Sequence, residues 1–195
     1  MKIISGSALA LMLVACSPAP SDILDGPKQA PTGTAPLAAA GIDASHGSIA
    51  GLRTGMTKDQ LVATGHAITE RSVMQEGDQY MVVDVSLREG LVVECWFDDG
   101  RIERLRTTAE GMKDERGLGV GSTLAALRAA YPDGRLVTGE GDGGRYANFV
   151  NRSRVVFEMD IDALSQSCFH DERTGCEARP DLRVRSVVVH SGPSS

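Results

Sequence analysis

Two segments of the chain have a pattern that is typical of a helix: one shows a helical spacing of hydrophobic residues, and the other shows a capping signal at its start. Leu124, Leu127 and Tyr131 lie at positions i, i+3 and i+7 and therefore share one face of a predicted helix. Thr57 is followed by Gln60 three residues later, which is the pattern of a capping box at a helix start. The sequence therefore predicts two helices, of which the second has the more regular apolar face.

After each predicted helix the hydrophobic period changes to two, which is typical of β-strands. This alternation predicts three strands in each half of the chain, at 79–86, 91–98 and 101–107 and then at 145–150, 154–160 and 182–190. The glycine-rich run 139–144 is predicted to be a loop. We therefore expect an α+β fold in which two tandem units each pack one helix on a small antiparallel sheet.

The two helix starts are also similar in sequence. Residues 51–63 align with 117–129 at a constant offset of 66, and six of the thirteen positions are identical. Self-similarity at a fixed offset is typical of repeated structural units. We therefore predict one unit at 47–113 and a second at 114–192, with a short tail at 193–195. Chance coincidence of small residues is the alternative.

The segment Gly55-Met56-Thr57 before a helix, followed by a meander of strands, resembles the BamE (SmpA/OmlA)-like and β-lactamase-inhibitor-protein-like families. The resemblance covers the helix start in each half and the order of the elements, and Ser122 stands where these families usually have methionine. It implies tandem helix-on-sheet units and a binding role without catalysis. It does not imply inhibition of a β-lactamase, because aromatic residues make up only 4% of this chain.

The N-terminal segment has the pattern of an exported lipoprotein. Its apolar stretch of about 13 residues is too short for the roughly 20 residues of a membrane-spanning helix and predicts a signal peptide at 1–15. Leu13-Val14-Ala15-Cys16 resembles the lipobox of bacterial lipoproteins, which implies cleavage before Cys16 and acylation of that cysteine, giving a stable anchor. Ser17, in place of aspartate, implies the outer membrane, with the protein facing the periplasm. A chance cysteine after an ordinary signal peptide is the alternative.

Composition narrows the range of partners. Residues 16–46 contain five of the eight prolines among Ala, Ser, Gly and Thr, which predicts an extended linker between the lipid and the folded part. The formal charge of the chain is −6, whereas a general nucleic-acid binder needs an excess of Lys and Arg. We therefore expect no nucleic-acid partner, and contact with the membrane through the N-terminal lipid.

Three cysteines remain once Cys16 is assigned to the lipid. Cys168 and Cys176 lie eight residues apart around a polar turn, which favours a local disulfide in an oxidising compartment. With His170 they offer only three metal ligands and lack the short paired spacings of structural zinc sites, so we predict no metal and no cofactor. Cys95 lies on the apolar side of a predicted strand and is expected to be a buried free thiol.

Arginines recur with a spacing of two in or beside the predicted strands. Because side chains two apart share one face of a strand, each pair is predicted to present both guanidinium groups to the same side. If the pairs converge, they form a basic stripe for an anionic partner. The alternative is a solvated face on which carboxylates neutralise the arginines. The candidate binding residues are Arg104, Arg106, Arg152, Arg154, Arg183 and Arg185.

The sequence shows no pattern of a known catalytic site. It has no G-x-S-x-G segment, and the glycine-rich run before Thr123 lacks the lysine of a phosphate-binding loop. The four histidines are scattered along the chain, so we predict no catalytic residue. We expect a non-enzymatic lipoprotein that binds another envelope protein or an anionic envelope polymer. A small hydrolase acting on cell-wall or lipid substrates and a structural spacer are the alternatives.

Overall fold

Antiparallel strands are the main elements of the computed structural model, which describes residues 41–75, 77–88, 90–141, 143–170 and 179–192. Three short strands form one sheet: β1 Ile42–Asp43, β2 Ser48–Ile49 and β3 Leu52–Arg53. Eight longer strands form a second sheet: β4 Ala67–Gln75, β5 Asp78–Arg88, β6 Leu91–Asp98, β7 Arg101–Thr107, β8 Arg135–Gly141, β9 Gly144–Val150, β10 Val155–Met159 and β11 Val184–His190. The helices are α1 Lys58–Val62, α2 Leu124–Ala130 and α3 Ser167–His170, with a 3-10 turn at Ile161–Ala163.

The eight-stranded sheet has the order β4-β5-β6-β7-β11-β10-β9-β8, and every neighbouring pair is antiparallel. Strands β4 to β7 form one meander after α1, and β8 to β11 form a second after α2. The two meanders meet at their last strands, where Thr107 of β7 pairs with Val187 of β11. Strands β4 and β8 therefore form the two edges of the sheet.

The predicted α+β fold of two helix-on-sheet units is wrong. The two meanders form one continuous sheet, and the helices have only 5, 7 and 4 residues. A four-stranded sheet that ended at β7 or at β11 would leave a row of unpaired backbone groups, and pairing the two strands satisfies both rows at once. The fold is therefore mostly β, with one core that both meanders share.

Six of the eight long strands lie where the hydrophobic alternation predicts them, with ends within two residues of the prediction. The two missed strands are β4 and β8, the edges of the sheet. The middle of β4 is polar and β8 contains two glycines, so neither strand alternates regularly. Consequently the run 139–144, predicted to be a loop, comprises the end of β8, its connection to β9 and the first residue of β9.

The hydrophobic core lies on one face of the eight-stranded sheet, under α1, α2 and the small sheet. Leu61 of α1 and Leu124 and Leu127 of α2 are fully buried there, and Tyr131 is nearly so, which confirms the predicted face of the second helix. They pack with side chains from alternate positions of the sheet: Val83, Val85, Val93, Cys95, Leu105, Phe149, Phe157, Val187 and Val189.

The folded part begins earlier than the predicted end of the linker. Ile42 and Ala44 are buried, and Ile42 N donates to Lys113 O at 2.9 Å, so residues 41–46 belong to the fold instead of the linker. The rest of the predicted linker and the predicted signal peptide lie outside the described residues. Within the described ranges, no helix is both long and apolar enough to cross a membrane.

Both longer helices begin at a threonine cap. Thr57 Oγ1 accepts a hydrogen bond from Gln60 N at 3.3 Å, and Gln60 Oε1 accepts one from Thr57 N at 2.9 Å, which confirms the predicted capping box of α1. Thr123 caps α2 by accepting a hydrogen bond from Ala126 N at 3.2 Å. The caps satisfy backbone donors that have no partner inside so short a helix.

The two helix starts are bound to the sheet by the same backbone hydrogen bonds. In the first half, Gly55 N donates to Ile102 O at 2.7 Å, and Ile102 N donates to Met56 O at 2.9 Å. In the second half, Gly121 N donates to Val184 O at 2.9 Å, and Val184 N donates to Ser122 O at 2.9 Å. The correspondence agrees with the sequence offset of 66, and the division into units at 47–113 and 114–192 stays a prediction.

Candidate functional site

Alternate residues of the central strands face away from the core and form a surface that we call the helix-free face. The register pairs Trp96 of β6 with Arg104 of β7 on this side, whereas the preceding pair, Cys95 and Leu105, enters the core. The core elements α1 and α2 pack on the opposite side of the sheet. The helix-free face includes Arg71, Tyr80, Val82, Asp84, Glu94, Trp96, Arg104, Arg106, Val156, Glu158, Ser186, Val188 and His190.

Trp96 contacts both Tyr80 and Arg104 on this face. The ring centroids of Tyr80 and Trp96 are 6.0 Å apart at an interplanar angle of 58°. The Arg104 guanidinium lies 4.0 Å from the Trp96 ring centroid and donates to Gln75 Oε1 at 2.7 Å. Trp96 Nε1 donates to Glu94 Oε2 at 3.2 Å. These aromatic, cation–π and hydrogen-bond contacts hold the three side chains in place in the free protein.

Ion pairs connect five strands across the helix-free face. Arg71 of β4 donates to both carboxylate oxygens of Asp84, at 2.9 and 3.1 Å, and lies 3.3 Å from Glu94. Arg106 of β7 lies 3.4 Å from Glu94 and 3.0 Å from Glu158 of β10. The carboxylates therefore neutralise both arginines, and this part of the face carries charges of both signs.

The same contacts shift the titration of the basic groups. The hydrogen bond to Asp84 raises the pKa of Arg71. Burial disfavours the charged form of Arg106, but the Glu158 carboxylate, with its ion pair and hydrogen bond, raises the pKa of Arg106 overall. Burial lowers the pKa of His190, although the Glu103 carboxylate, with Oε1 3.9 Å from His190 Nδ1, favours the charged form.

An apolar layer lies beneath these charged side chains. Val82, Val156 and Val188 point away from the core, yet only 0%, 7% and 4% of their surfaces are exposed. The three valines are therefore buried on the side of the sheet that α1 and α2 do not cover. The helix-free face thus combines an apolar interior with a charged exterior.

The structure does not form the predicted stripe of three converging arginine pairs. It places one pair and one further arginine on or beside the helix-free face: Arg104, Arg106 and Arg185. The other three lie in the connection from β9 to β10 and just before β11: Arg152, Arg154 and Arg183. A spacing of two puts side chains on one face only inside a regular strand, and these three residues lie outside the strands.

Two of the displaced arginines have local partners. Arg183 donates to Gly121 O at 2.9 Å and so supports the start of α2. Arg152 lies 3.6 Å from Asp133, but both side chains are largely exposed, and such surface pairs contribute only about 0.2–1 kcal/mol. Neither residue is near the helix-free face, and neither contributes to the candidate site.

A β-bulge redirects Arg185. In the pairing of β10 with β11, Glu158 pairs with Ser186 and Met159 pairs with Val184, so Arg185 is an extra residue in its strand. A bulge bends the strand and turns its extra side chain out of the regular alternation. The exposed Arg185 side chain therefore lies beside Glu158, on the wall of a cavity.

A serine, a histidine and an aspartate meet in the turn between β1 and β2. Ser45 Oγ lies 2.7 Å from Asp43 Oδ1 and 2.9 Å from His46 Nδ1, and that same nitrogen lies 2.8 Å from Asp43 Oδ2. A catalytic triad needs different ring nitrogens for the serine and the carboxylate. The hydrogen bonds from Ser45 and from the His46 backbone lower the pKa of Asp43. This cluster stabilises a turn and lacks the geometry of an activated nucleophile.

The structure describes two of the four cysteines, Cys95 and Cys168. Cys95 is a buried free thiol, as predicted, and burial raises its pKa to about 12, so it stays protonated and unreactive. Cys168 is buried in α3. Cys176 and Cys16 lie outside the described residues, so the disulfide and the lipid stay predictions. Within the described ranges, no three or more His, Cys, Asp or Glu residues are arranged to hold a metal ion.

Sequence reasoning missed most of the residues that complete the helix-free face: Arg71, Tyr80, Asp84, Glu94 and Trp96. A signal was present in β6, where Glu94 and Trp96 alternate with apolar residues and an aromatic ring therefore falls on the polar side. Arg71 had no such signal, because β4 itself does not alternate.

Known proteins show little similarity to this chain. Its sequence matches no protein-family model and no curated protein. Among solved structures it is similar to the crystal structure of the uncharacterized protein yfeY from Escherichia coli, with a TM-score of 0.49 and 12% sequence identity, covering 77% of this chain and 98% of that one. A similarity of this degree says nothing about function.

Proposed function

We propose that this protein is a non-enzymatic binding module that engages another envelope protein through its helix-free face. The contact cluster of Tyr80, Trp96 and Arg104 carries the proposal. Tyr, Trp and Arg are the residue types enriched among the energetically important positions of protein interfaces. Because these three side chains already hold each other in place, binding costs less conformational entropy.

The charge pattern favours a protein over an anionic polymer as the partner. Arg71 and Arg106 are paired with carboxylates, so they present no uncompensated positive surface to a polyanion. A protein surface can offer both signs of charge in a complementary arrangement, which gives specificity and orientation. The mixed charges around the aromatic cluster fit that kind of partner.

The protein is also proposed to be anchored to the outer membrane by a lipid on Cys16 and to face the periplasm. The segment Leu13-Val14-Ala15-Cys16 supports this part of the proposal. The Pro-rich residues 17–40 would span up to roughly 70 Å when extended, so the folded part could reach a partner at some distance from the membrane. The mass of the mature N-terminal peptide checks the anchor: an unmodified peptide would contradict it.

Site-specific photo-crosslinking in intact cells tests the helix-free face. A photoreactive phenylalanine analogue at Tyr80 should give a discrete adduct with one envelope protein. Trp96→Ala in the same chain should reduce that adduct at least fivefold, because it removes the ring that Tyr80 and Arg104 contact. Circular dichroism of the purified variant should show an unchanged fold, since Trp96 lies outside the core.

Val62 provides the matched control position. It is 52% exposed on α1, on the opposite side of the core from the helix-free face. The analogue at Val62 should give no comparable adduct. Equal adducts from both positions, or none from Tyr80, would contradict the proposal and favour a structural spacer.

A further inference from the structure

A cavity of about 250 Å³ opens beside the helix-free face, next to β9, β10, β11 and the 3-10 turn. Its polar walls come from Arg106, Arg145, Tyr146, Asn148, Glu158 and Arg185. Arg106 and Glu158 are also members of the helix-free face, so the cavity and the face are continuous. A partner that docks on the face can therefore place a side chain in the cavity.

The cavity carries an excess of positive charge in a protein whose formal charge is −6. Within the part of the chain that the structure describes, three arginines line it, against one carboxylate. That carboxylate, on Glu158, is already bound by Arg106 at 3.0 Å and by a serine hydroxyl. Among the described residues, Arg185 has no hydrogen-bond or ion-pair partner, and Arg145 contacts the Phe169 ring, 5.1 Å from its centroid, instead of a carboxylate. Neither Arg145 nor Arg185 thus has an anionic partner within the described ranges.

Two local features build the cavity wall. Arg185 is the extra residue of the bulge in β11, and bulges often redirect a side chain beside a binding site. On the neighbouring strands, a Cβ at Gly139 would lie 2.4 Å from the hydroxyl oxygen of Tyr146, so glycine at this position leaves room for the tyrosine ring to lie across β8. Tyr146 is itself one of the residues that line the cavity.

We propose that the cavity binds a carboxylate on an acidic side chain of the protein partner. The inference rests on the proposed function, because the helix-free face supplies the partner that carries the carboxylate. Guanidinium groups bind carboxylates through two parallel hydrogen bonds, and Arg145 and Arg185 line the cavity together with Tyr146 and Asn148. The volume is below the range of about 300–1,000 Å³ usual for small-molecule sites, which favours a single inserted side chain.

Titration of the full protein with an acidic peptide tests this proposal. The probe is an acetylated and amidated tetrapeptide with two central glutamates, and the readout is the NMR shift of the arginine Nε–H signals. Binding should saturate and move the signals of Arg145 and Arg185, and the glutamine version of the peptide should bind at least tenfold more weakly. Arg185→Gln should weaken binding at least fivefold, because it removes one guanidinium and leaves the Arg106–Glu158 pair intact.

Arg152→Gln is the matched control, because it removes the same charge from an exposed loop away from the cavity. It should change the affinity less than twofold. Equal losses in Arg152→Gln and Arg185→Gln would show attraction by bulk charge and would overturn the proposal, as would equal binding of the two peptides. Tighter binding of inorganic phosphate than of the acidic peptide would overturn it too. The titration needs no natural partner, so its result is independent of crosslinking at Tyr80.

Discussion

Cys95 and Trp96 are consecutive residues of β6 with opposite surroundings. The Cys95 side chain lies in the core, with no exposed area, and burial raises the pKa of its thiol to about 12. Trp96 lies on the helix-free face between Tyr80 and Arg104. The alternation of one strand thus separates a residue that stabilises the core from a residue proposed to bind a partner.

The Cys95 thiol should make stability depend on pH in the alkaline range. Above about pH 9 the thiol ionises in the unfolded chain but stays protonated in the folded protein up to about pH 12. The unfolded state then binds fewer protons, so the free energy of unfolding falls as pH rises, by about 1.4 kcal/mol per pH unit from this group. Urea denaturation from about pH 8 to 11 should show a steeper decline for the wild type than for Cys95→Ala. Equal slopes would contradict the assignment.

Predictions for single residues succeed where the local pattern stays regular. Helical spacing placed Leu124 and Leu127 in the core, and strand alternation placed Cys95 there. The prediction for the pair Arg183 and Arg185 failed, because Arg183 precedes β11 and Arg185 is the extra residue of a bulge. A bulge depends on how two strands pair, and the sequence of one strand alone carries no mark of it.

Each of the two longer helices starts after a glycine with a left-handed backbone. Gly55 has φ +84° and Gly121 has φ +82°, and a Cβ at either position would meet no atom within 4 Å. Both glycines donate the backbone hydrogen bonds that join the helix starts to the sheet. Backbone conformation, and not lack of space, therefore requires glycine at these positions.

Gly55→Ala and Gly121→Ala should each lower the free energy of unfolding by about 1–2 kcal/mol, because an L-residue is strained in the left-handed region. Gly141→Ala is the matched control: its surroundings are equally open, and its φ lies outside that region. It should change stability by less than about 0.5 kcal/mol. Urea midpoints at constant m-value measure all three effects. A loss of stability in only one of the variants Gly55→Ala and Gly121→Ala would contradict the equivalence of the helix starts.

Inner strands were predictable and edge strands were not, for a physical reason. A strand with neighbours on both sides and one face in the core needs a regular apolar alternation, as in β6. The edge strands β4 and β8 bury less of their surface, so polar residues and glycines are tolerated in them. The joining of β7 to β11 was also unpredictable, because backbone pairing leaves no residue-specific pattern. That joining extends the helix-free face from β7 to β11 and β10.

The two halves of the chain share one hydrophobic core. Leu61 from the first half and Leu127 from the second are both fully buried in the same cluster of side chains. The pairing of β7 with β11 joins the halves through the backbone as well. Because neither half encloses the core by itself, the fold should unfold as one cooperative unit.

Leu127→Ala tests this cooperativity from the second half. It should lower the free energy of unfolding by about 2–5 kcal/mol, because it leaves a cavity in the core. The midpoint reported by Trp96 fluorescence should shift too, although Trp96, the single tryptophan, lies in the first half. Leu61→Ala should shift the same midpoint, and far-UV circular dichroism should follow the same transition. Two separate transitions, with Trp96 insensitive to Leu127→Ala, would contradict a shared core.

The strand that completes the middle of the sheet follows all the other described strands in the chain. Strand β11 lies between β7 and β10, so both neighbours have an open edge until residues 184–190 arrive. The contacts between β7 and β11 join residues about 80 positions apart, and such distant pairings make folding slow. For a protein proposed to be exported, this order delays folding of the sheet until β11 is available. Deletion of β11 would open the sheet at its centre, whereas loss of an edge strand would only narrow it.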